Sequence, residues 1–185
     1  MIKSDTLEVI QKNRQTYSDS YESMNWLTSE KAKTASRLRE DLINAIFEHH
    51  SAGPGWRFSG TKLYTHELSP GCDQCGNGGW SCLFINGICN ARCFYCPSAQ
   101  NEKSHPMTSS VEFSNPHEYA NYVNAFNIKG VSFSGGEPFM TFDRVLIFLK
   151  TLRAKVVHPL YIWMYTNGIL VTEDKLKKLR DNGLD

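Results

Sequence analysis

Apolar and polar positions along the chain change character near residue 80. Before it, Ala35, Leu38, Leu42, Ile46 and Phe47 recur at helical spacing within a polar run. They predict a helix with Ser29 as N-cap, ended by Ser51-Ala52-Gly53-Pro54-Gly55, where Gly and Pro interrupt regular structure. Residues 1–50 as a whole read as helical and polar, with His49 and His50 at a solvated helix end. Residues 71–78 (GCDQCGNG) read as loop.

From residue 80 the pattern becomes strand–helix, three times over. Residues 80–85 (WSCLFI) are a short apolar run bounded by glycine, predicting a buried strand. The loop NGICNARCFYCPSAQ follows it directly. Asn115 then serves as N-cap of a helix with Pro116 in its first turn and Glu118 completing a capping box. Tyr119, Tyr122, Val123 and Phe126 form the apolar face of that helix. A second strand at 131–134 ends in Gly135-Gly136-Glu137-Pro138, followed by a helix with Thr141 as N-cap and Val145, Phe148, Leu149 and Leu152 facing inward. A third strand at 161–165 (YIWMY) ends in Thr166-Asn167-Gly168. The last helix, 173–182, carries Glu173 and Asp174 in its first turn, Lys177, Lys178 and Arg180 near its end, and Gly183 to close it.

Repeated βα units of about 30 residues build parallel sheets or barrels. The expected fold class is therefore α/β: a partial (β/α) barrel of parallel strands, its first three βα units, preceded by a mostly helical N-terminal extension. The expected division is an extension at 1–55, a cysteine-containing connection at 56–79 and the core at 80–185. Three units cannot close a barrel, so a fragment of a longer protein is expected.

Composition narrows the class. The chain has 185 residues, is 41% hydrophobic and has a net charge of +1. That balance gives no push toward nucleic acid or anionic membranes. No apolar run approaches a membrane span, and the start, MIKSDTLEVIQKNRQ, lacks a signal-peptide core. The expectation is a soluble cytoplasmic protein.

The six cysteines, Cys72, Cys75, Cys82, Cys89, Cys93 and Cys96, lie within 25 residues. Without an export signal, such clustering points to metal binding or chemistry rather than disulfides. Cys89, Cys93 and Cys96 form CxxxCxxC on the loop after the first strand. Three thiolates there can hold one corner of an iron–sulfur cluster and leave an iron open, and loops at strand C-termini are where parallel barrels place their chemistry. The competing arrangement is a zinc ribbon of Cys72, Cys75, Cys93 and Cys96, whose pairs are separated by 17 residues, making an interaction or nucleic-acid-binding module. It leaves Cys82 and Cys89 unused. A non-catalytic iron–sulfur electron carrier is a third possibility.

Three motifs in this order resemble the radical S-adenosylmethionine (SAM) superfamily: CNARCFYC at 89–96, SGGEP at 134–138 and YTNG at 165–168. The resemblance covers roughly residues 80–185. It implies that Cys89, Cys93 and Cys96 hold a [4Fe–4S] cluster whose open iron binds SAM. It further implies that Gly135, Gly136, Glu137, Pro138, Thr166, Asn167 and Tyr95 contact the SAM, with Tyr95 near the adenine. In that superfamily the reduced cluster cleaves SAM to a 5′-deoxyadenosyl radical, which abstracts hydrogen from a substrate. A reductant such as flavodoxin or ferredoxin is implied as a partner. The substrate, protein or small molecule, is not legible, although CFYCP is similar to activating enzymes that generate glycyl radicals. Cys72, Cys75 and Cys82 are candidates for an auxiliary iron–sulfur or zinc site.

Overall fold

A computed structural model of the chain describes residues 4–49 and 55–185. The expected helix breaker at 51–54 and His50 lie outside the described residues, as does the His49 side chain. Helices α1 (Ser4–Thr16), α2 (Ser18–Glu22) and α3 (Ser29–His49) come first. Helix α3 begins one residue earlier than the sequence suggests: the Thr28 hydroxyl accepts from the Lys31 N–H at 3.3 Å, so Thr28, not Ser29, is the cap. Its apolar stripe is not core, since Leu38 and Leu42 are both more than half exposed.

A two-stranded hairpin, β1 (Gly55–Arg57) and β2 (Lys62–Tyr64), leads to helix α4 (Pro70–Gly76). This helix replaces the loop expected at 71–78. Gly, Asp and Asn there look like breakers. Ser69, however, caps the Cys72 N–H and Pro70 occupies the first turn, which starts a helix in spite of them.

The central sheet is built on β3 (Trp80–Ile88), which runs three residues past the expected end. Short strands β4 (Asn101–Glu102), β5 (Met107–Thr108) and β6 (Val111–Glu112) follow. Helix α5 (Pro116–Ala125), β7 (Gly130–Gly135), a 3-10 turn (Pro138–Thr141), α6 (Phe142–Lys155), β8 (Tyr161–Met164) and α7 (Glu173–Asp181) complete the chain. The strand order is β6-β5-β3-β7-β8, with β4 also paired to β3. The β3–β7 and β7–β8 pairs are parallel, as three successive βα units require. Strands β4, β5 and β6, which were not anticipated, are antiparallel; β4 and β5 pair with β3 and β6 with β5, and the barrel is not closed.

Along β3 burial alternates, so the strand is not buried on both faces as its apolar run suggests. Ser81, Leu83 and Ile85 are buried, whereas Trp80 and Cys82 are half-buried and Phe84 is 43% exposed. The core joins Leu83 and Ile85 to Val131 and Phe133 of β7, Ile162 of β8, and the helix faces Tyr119–Val123 and Val145–Leu152. The α6 face is the one that helical spacing predicts. On α5, Tyr119 and Val123 are buried but Phe126 is 68% exposed at the helix end. The Asn115 cap holds the His117 and Glu118 N–H groups. The Glu118 carboxylate returns one residue further back than a capping box, accepting from the Ser114 N–H at 2.8 Å. Thr141 ends the 3-10 turn without capping α6 through its side chain.

Candidate functional site

The parallel pairing places three chain segments side by side at the C-terminal ends of β3, β7 and β8: Cys89 onward, Gly135-Gly136-Glu137 and Thr166-Asn167. The first two meet through the backbone. Gly136 N–H donates to Asn86 O at 2.8 Å and Glu137 N–H to Ile88 O at 2.7 Å. The approach is so close that a Cβ on Gly136 would lie 2.0 Å from the Ile88 carbonyl oxygen. Gly135 has φ +107°, and a Cβ there would lie 2.5 Å from Asn86 O. These glycines are required by strand-to-strand packing alone.

Asn86 is 1% exposed and was not singled out by the sequence. Its Nδ2 donates to Glu137 O at 3.1 Å and to Thr141 Oγ1 at 2.6 Å, so it pins the glycine turn. Its Oδ1 is buried without a partner, beside Gly136.

Glu137 is not a solvated turn residue: it is 1% exposed. Its Oε1 accepts from Phe139 N–H at 3.0 Å and Thr166 Oγ1–H at 2.7 Å, and its Oε2 from Asn167 N–H at 2.8 Å. A carboxylate has about four lone-pair directions, so one, on Oε2, is left. Glu137 thus ties the end of β7 to the end of β8, and Pro138 starts the buried turn that follows it. Asn167 extends this tie to the cysteine loop. Its Nδ2 donates to Asn90 Oδ1 at 2.8 Å and approaches Cys89 Sγ at 3.8 Å.

The cysteine loop leaves the sheet at Cys89 and returns at Gln100, which is 4% exposed and has φ +68°. Gln100 O accepts from Cys89 N–H at 2.9 Å, and Gln100 Nε2 donates to Cys93 O at 2.9 Å, closing the loop at its base. Cys89, Cys93 and Cys96 are all half-buried free thiols. Cys89 Sγ accepts from Ala91 N–H and Cys96 Sγ from Ser98 N–H, each at 3.4 Å. Tyr95 is 65% exposed, and its hydroxyl bonds to Cys93, which holds the phenol above its usual range. The loop also rests on the N-terminal extension, where no chemistry was expected: Asn13 Nδ2 donates to Cys96 O at 3.0 Å and Ser98 O at 2.8 Å. No sequence signal identifies Asn13 or Gln100. Asn86 was the more readable of the missed residues, because it directly follows the predicted strand 80–85.

Cys72 and Cys75 lie on α4, against the N-terminal ends of the strands. Gln74 O accepts from Gly79 N–H at 3.0 Å, and Gly71 packs on Trp163. Cys93 and Cys96 lie beyond the other end of β3. A nine-residue strand spans about 30 Å, so the zinc ribbon of Cys72, Cys75, Cys93 and Cys96 is excluded by the fold. Cys82 neighbours Cys75 and bonds to Ser132 and Ser134. Burial pushes its thiol pKa up, which opposes the thiolate that metals need. Among the described residues, no three His, Cys, Asp or Glu side chains are gathered into a ready metal site. The donor set of the 89–96 loop nonetheless suits an iron–sulfur cluster: three half-buried free thiols lie on one short loop, which Asn13 and Gln100 hold by its backbone carbonyls rather than by sulfur.

Comparison with known proteins gives the family. The family model described as the Radical SAM superfamily matches residues 83–185. The chain belongs to that superfamily, whose enzymes use a [4Fe–4S] cluster and SAM. A Methanocaldococcus jannaschii protein, named by inference a glycyl-radical enzyme activating enzyme, is 35% identical over 64% of this chain and 32% of its own length. A Methanococcus maripaludis protein, named by inference a GTP 3′,8-cyclase, is 32% identical over 56% of this chain and 33% of its own length. The chain spans about a third of the length of these relatives. No solved structure matches it significantly. No helix among the described residues is long and apolar enough to cross a membrane.

Proposed function

We propose that the chain carries the cofactor-binding part of a radical SAM enzyme. In this reading Cys89, Cys93 and Cys96 hold a [4Fe–4S] cluster, and Gly135, Gly136, Glu137, Pro138, Thr166, Asn167 and Tyr95 surround SAM. The supporting observation is the chain of hydrogen bonds from Glu137 through Thr166 and Asn167 to Asn90 and Cys89, which joins all three motifs at one end of the sheet. When bound, the cluster and SAM supply the reducing electron and the radical precursor. The chain's own residues orient them. The two glycines bring the backbone of β7 against that of β3 and leave that surface free of side chains. Glu137 fixes the β8 turn and keeps one acceptor direction for a cationic group. Asn167 sets the distance between that turn and Cys89.

The two relatives share the matched third with this chain but differ in the substrates their names state, which supports assigning the cofactor step to this part. The activating-enzyme name favours a protein substrate. A flavodoxin- or ferredoxin-type reductant and a soluble cytoplasmic setting complete this proposal. Cys72, Cys75 and Cys82 are not assigned a metal in this reading.

Iron, sulfide and zinc are to be measured after anaerobic reconstitution of the wild type and of the Cys89/Cys93/Cys96→Ala triple variant. The expected result is about four irons in the wild type and none in the variant. Wild-type protein holding zinc and no iron, or iron unaffected by the triple substitution, overturns the reading.

A further inference from the structure

Helix α1 lies on the protein surface, and Asn13 is its only described residue that is buried. A polar residue in that position needs partners for its amide. Both of its Nδ2 bonds go to main-chain carbonyls more than 80 residues away, those of Cys96 and Ser98.

The neighbouring contacts fall on the same loop. The Arg92 guanidinium sits 5.1 Å from the Tyr17 ring centroid and pairs with Asp19 at 3.5 Å. Phe94 packs edge-on against Tyr21 at 5.1 Å and Trp26 at 5.9 Å. Trp26 is itself held by its Nε1–H bond to Tyr21 O at 3.0 Å, and Arg14 covers the other partner, 4.0 Å from the Tyr21 centroid. The segment therefore grips alternate loop positions, 92, 94, 96 and 98.

Few backbone bonds fix this loop from within: Cys96 N–H to Cys93 O, and the closure at Gln100. External donors then set its conformation. None of the N-terminal contacts involves a sulfur. Asn13 holds Cys96 by its carbonyl, and the aromatic pair holds Phe94, so the N-terminal segment occupies none of the three thiols.

We propose that residues 13–26 form a clamp that sets the conformation of the cysteine loop, with Asn13 as its positioning residue. Its purpose rests on the cluster assignment above, but its existence does not. Asn13 fixes the Cys96 carbonyl, Tyr21 and Trp26 fix Phe94, and together they hold Cys93 and Cys96 in one arrangement before and after cluster assembly.

The test uses the full chain with Asn13→Leu and Trp26→Ala, both outside the folded core. In the apo protein, alkylation rates of individual cysteines are read by mass spectrometry, with Cys72 and Cys75 as internal reference. Each variant is expected to speed Cys93 and Cys96 by about tenfold relative to that reference, as loss of the two part-buried Asn13 bonds, or of the Trp26 ring against Phe94, allows the loop to open. In reconstituted protein, iron release to a chelator is expected to quicken by a similar factor. The electron paramagnetic resonance lines of the reduced cluster should broaden, a change that a distant packing role would not produce. Unchanged thiol ratios in both variants overturn the clamp. A wild type that takes up no iron overturns the cluster assignment alone, because the thiol ratios still decide the clamp.

Discussion

Replacing Gly136 by alanine separates two reasons for a glycine at this position. If the glycine serves only a bound cofactor, the apo protein should tolerate a methyl group. The structure says otherwise, because that methyl would sit 2.0 Å from Ile88 O and 2.7 Å from Asn86 Oδ1. The first neighbour is backbone within the β3–β7 pair and cannot rotate away. Relief requires the strands to part, at the expense of the Glu137 N–H to Ile88 O bond. Overpacking of this kind costs about 3 kcal/mol. Gly78→Ala is the control: it has φ +71° but open space around the new Cβ, so only backbone strain of about 1 kcal/mol is expected. Urea unfolding of cofactor-free protein reads the difference. With a slope of about 2 kcal/mol/M, the Gly136→Ala midpoint should lie about 1 M below that of Gly78→Ala. Equal midpoints would refute the packing argument and return the glycine to a purely ligand-facing role.

Two further outcomes follow from buried polar groups. Glu137→Gln removes the charge from an acceptor of three bonds and turns an amide N–H toward Asn167 N–H, so a loss of about 2 kcal/mol is expected in thermal unfolding. A double-mutant cycle with Thr166→Val should show coupling above about 0.5 kcal/mol, and additivity would count against the tie. Tyr119 is fully buried and donates to Ser81 Oγ at 2.9 Å; burial raises its pKa far above the ordinary tyrosine value. The folded state then keeps a proton that the unfolded state releases above about pH 10, so stability falls as pH rises from there, by up to about 1.4 kcal/mol per pH unit. Tyr119→Phe should remove that component, seen as the difference between the two stability–pH curves, and parallel curves would contradict it.

The sequence made the parallel half of the fold legible because each element carries its own local signal. Val145, Phe148, Leu149 and Leu152 recur at helical spacing, and all four are core. Helix α4 was missed because its composition favours turns, and only Ser69-Pro70 announces it. Strands β4, β5 and β6 have two residues each, too few for any periodicity to show. At the site, motif order named three segments that the fold brings together. Local reading could not tell that Glu137 is buried, because its donors at Thr166 and Asn167 are about 30 residues away. Asn13 is the extreme case: its burial depends entirely on partners 83 and 85 residues distant.

That distance has a practical side for anyone who shortens this protein. The region recognised by family resemblance starts at residue 83, after β3 has begun. An expression product cut to that boundary keeps all three loop cysteines and the whole glycine turn. It loses Asn13, Tyr17, Tyr21 and Trp26, together with the first three residues of β3. Such a product would keep its recognisable sequence signature while its thiols lay on an unsupported loop, open to oxidation and to adventitious metal.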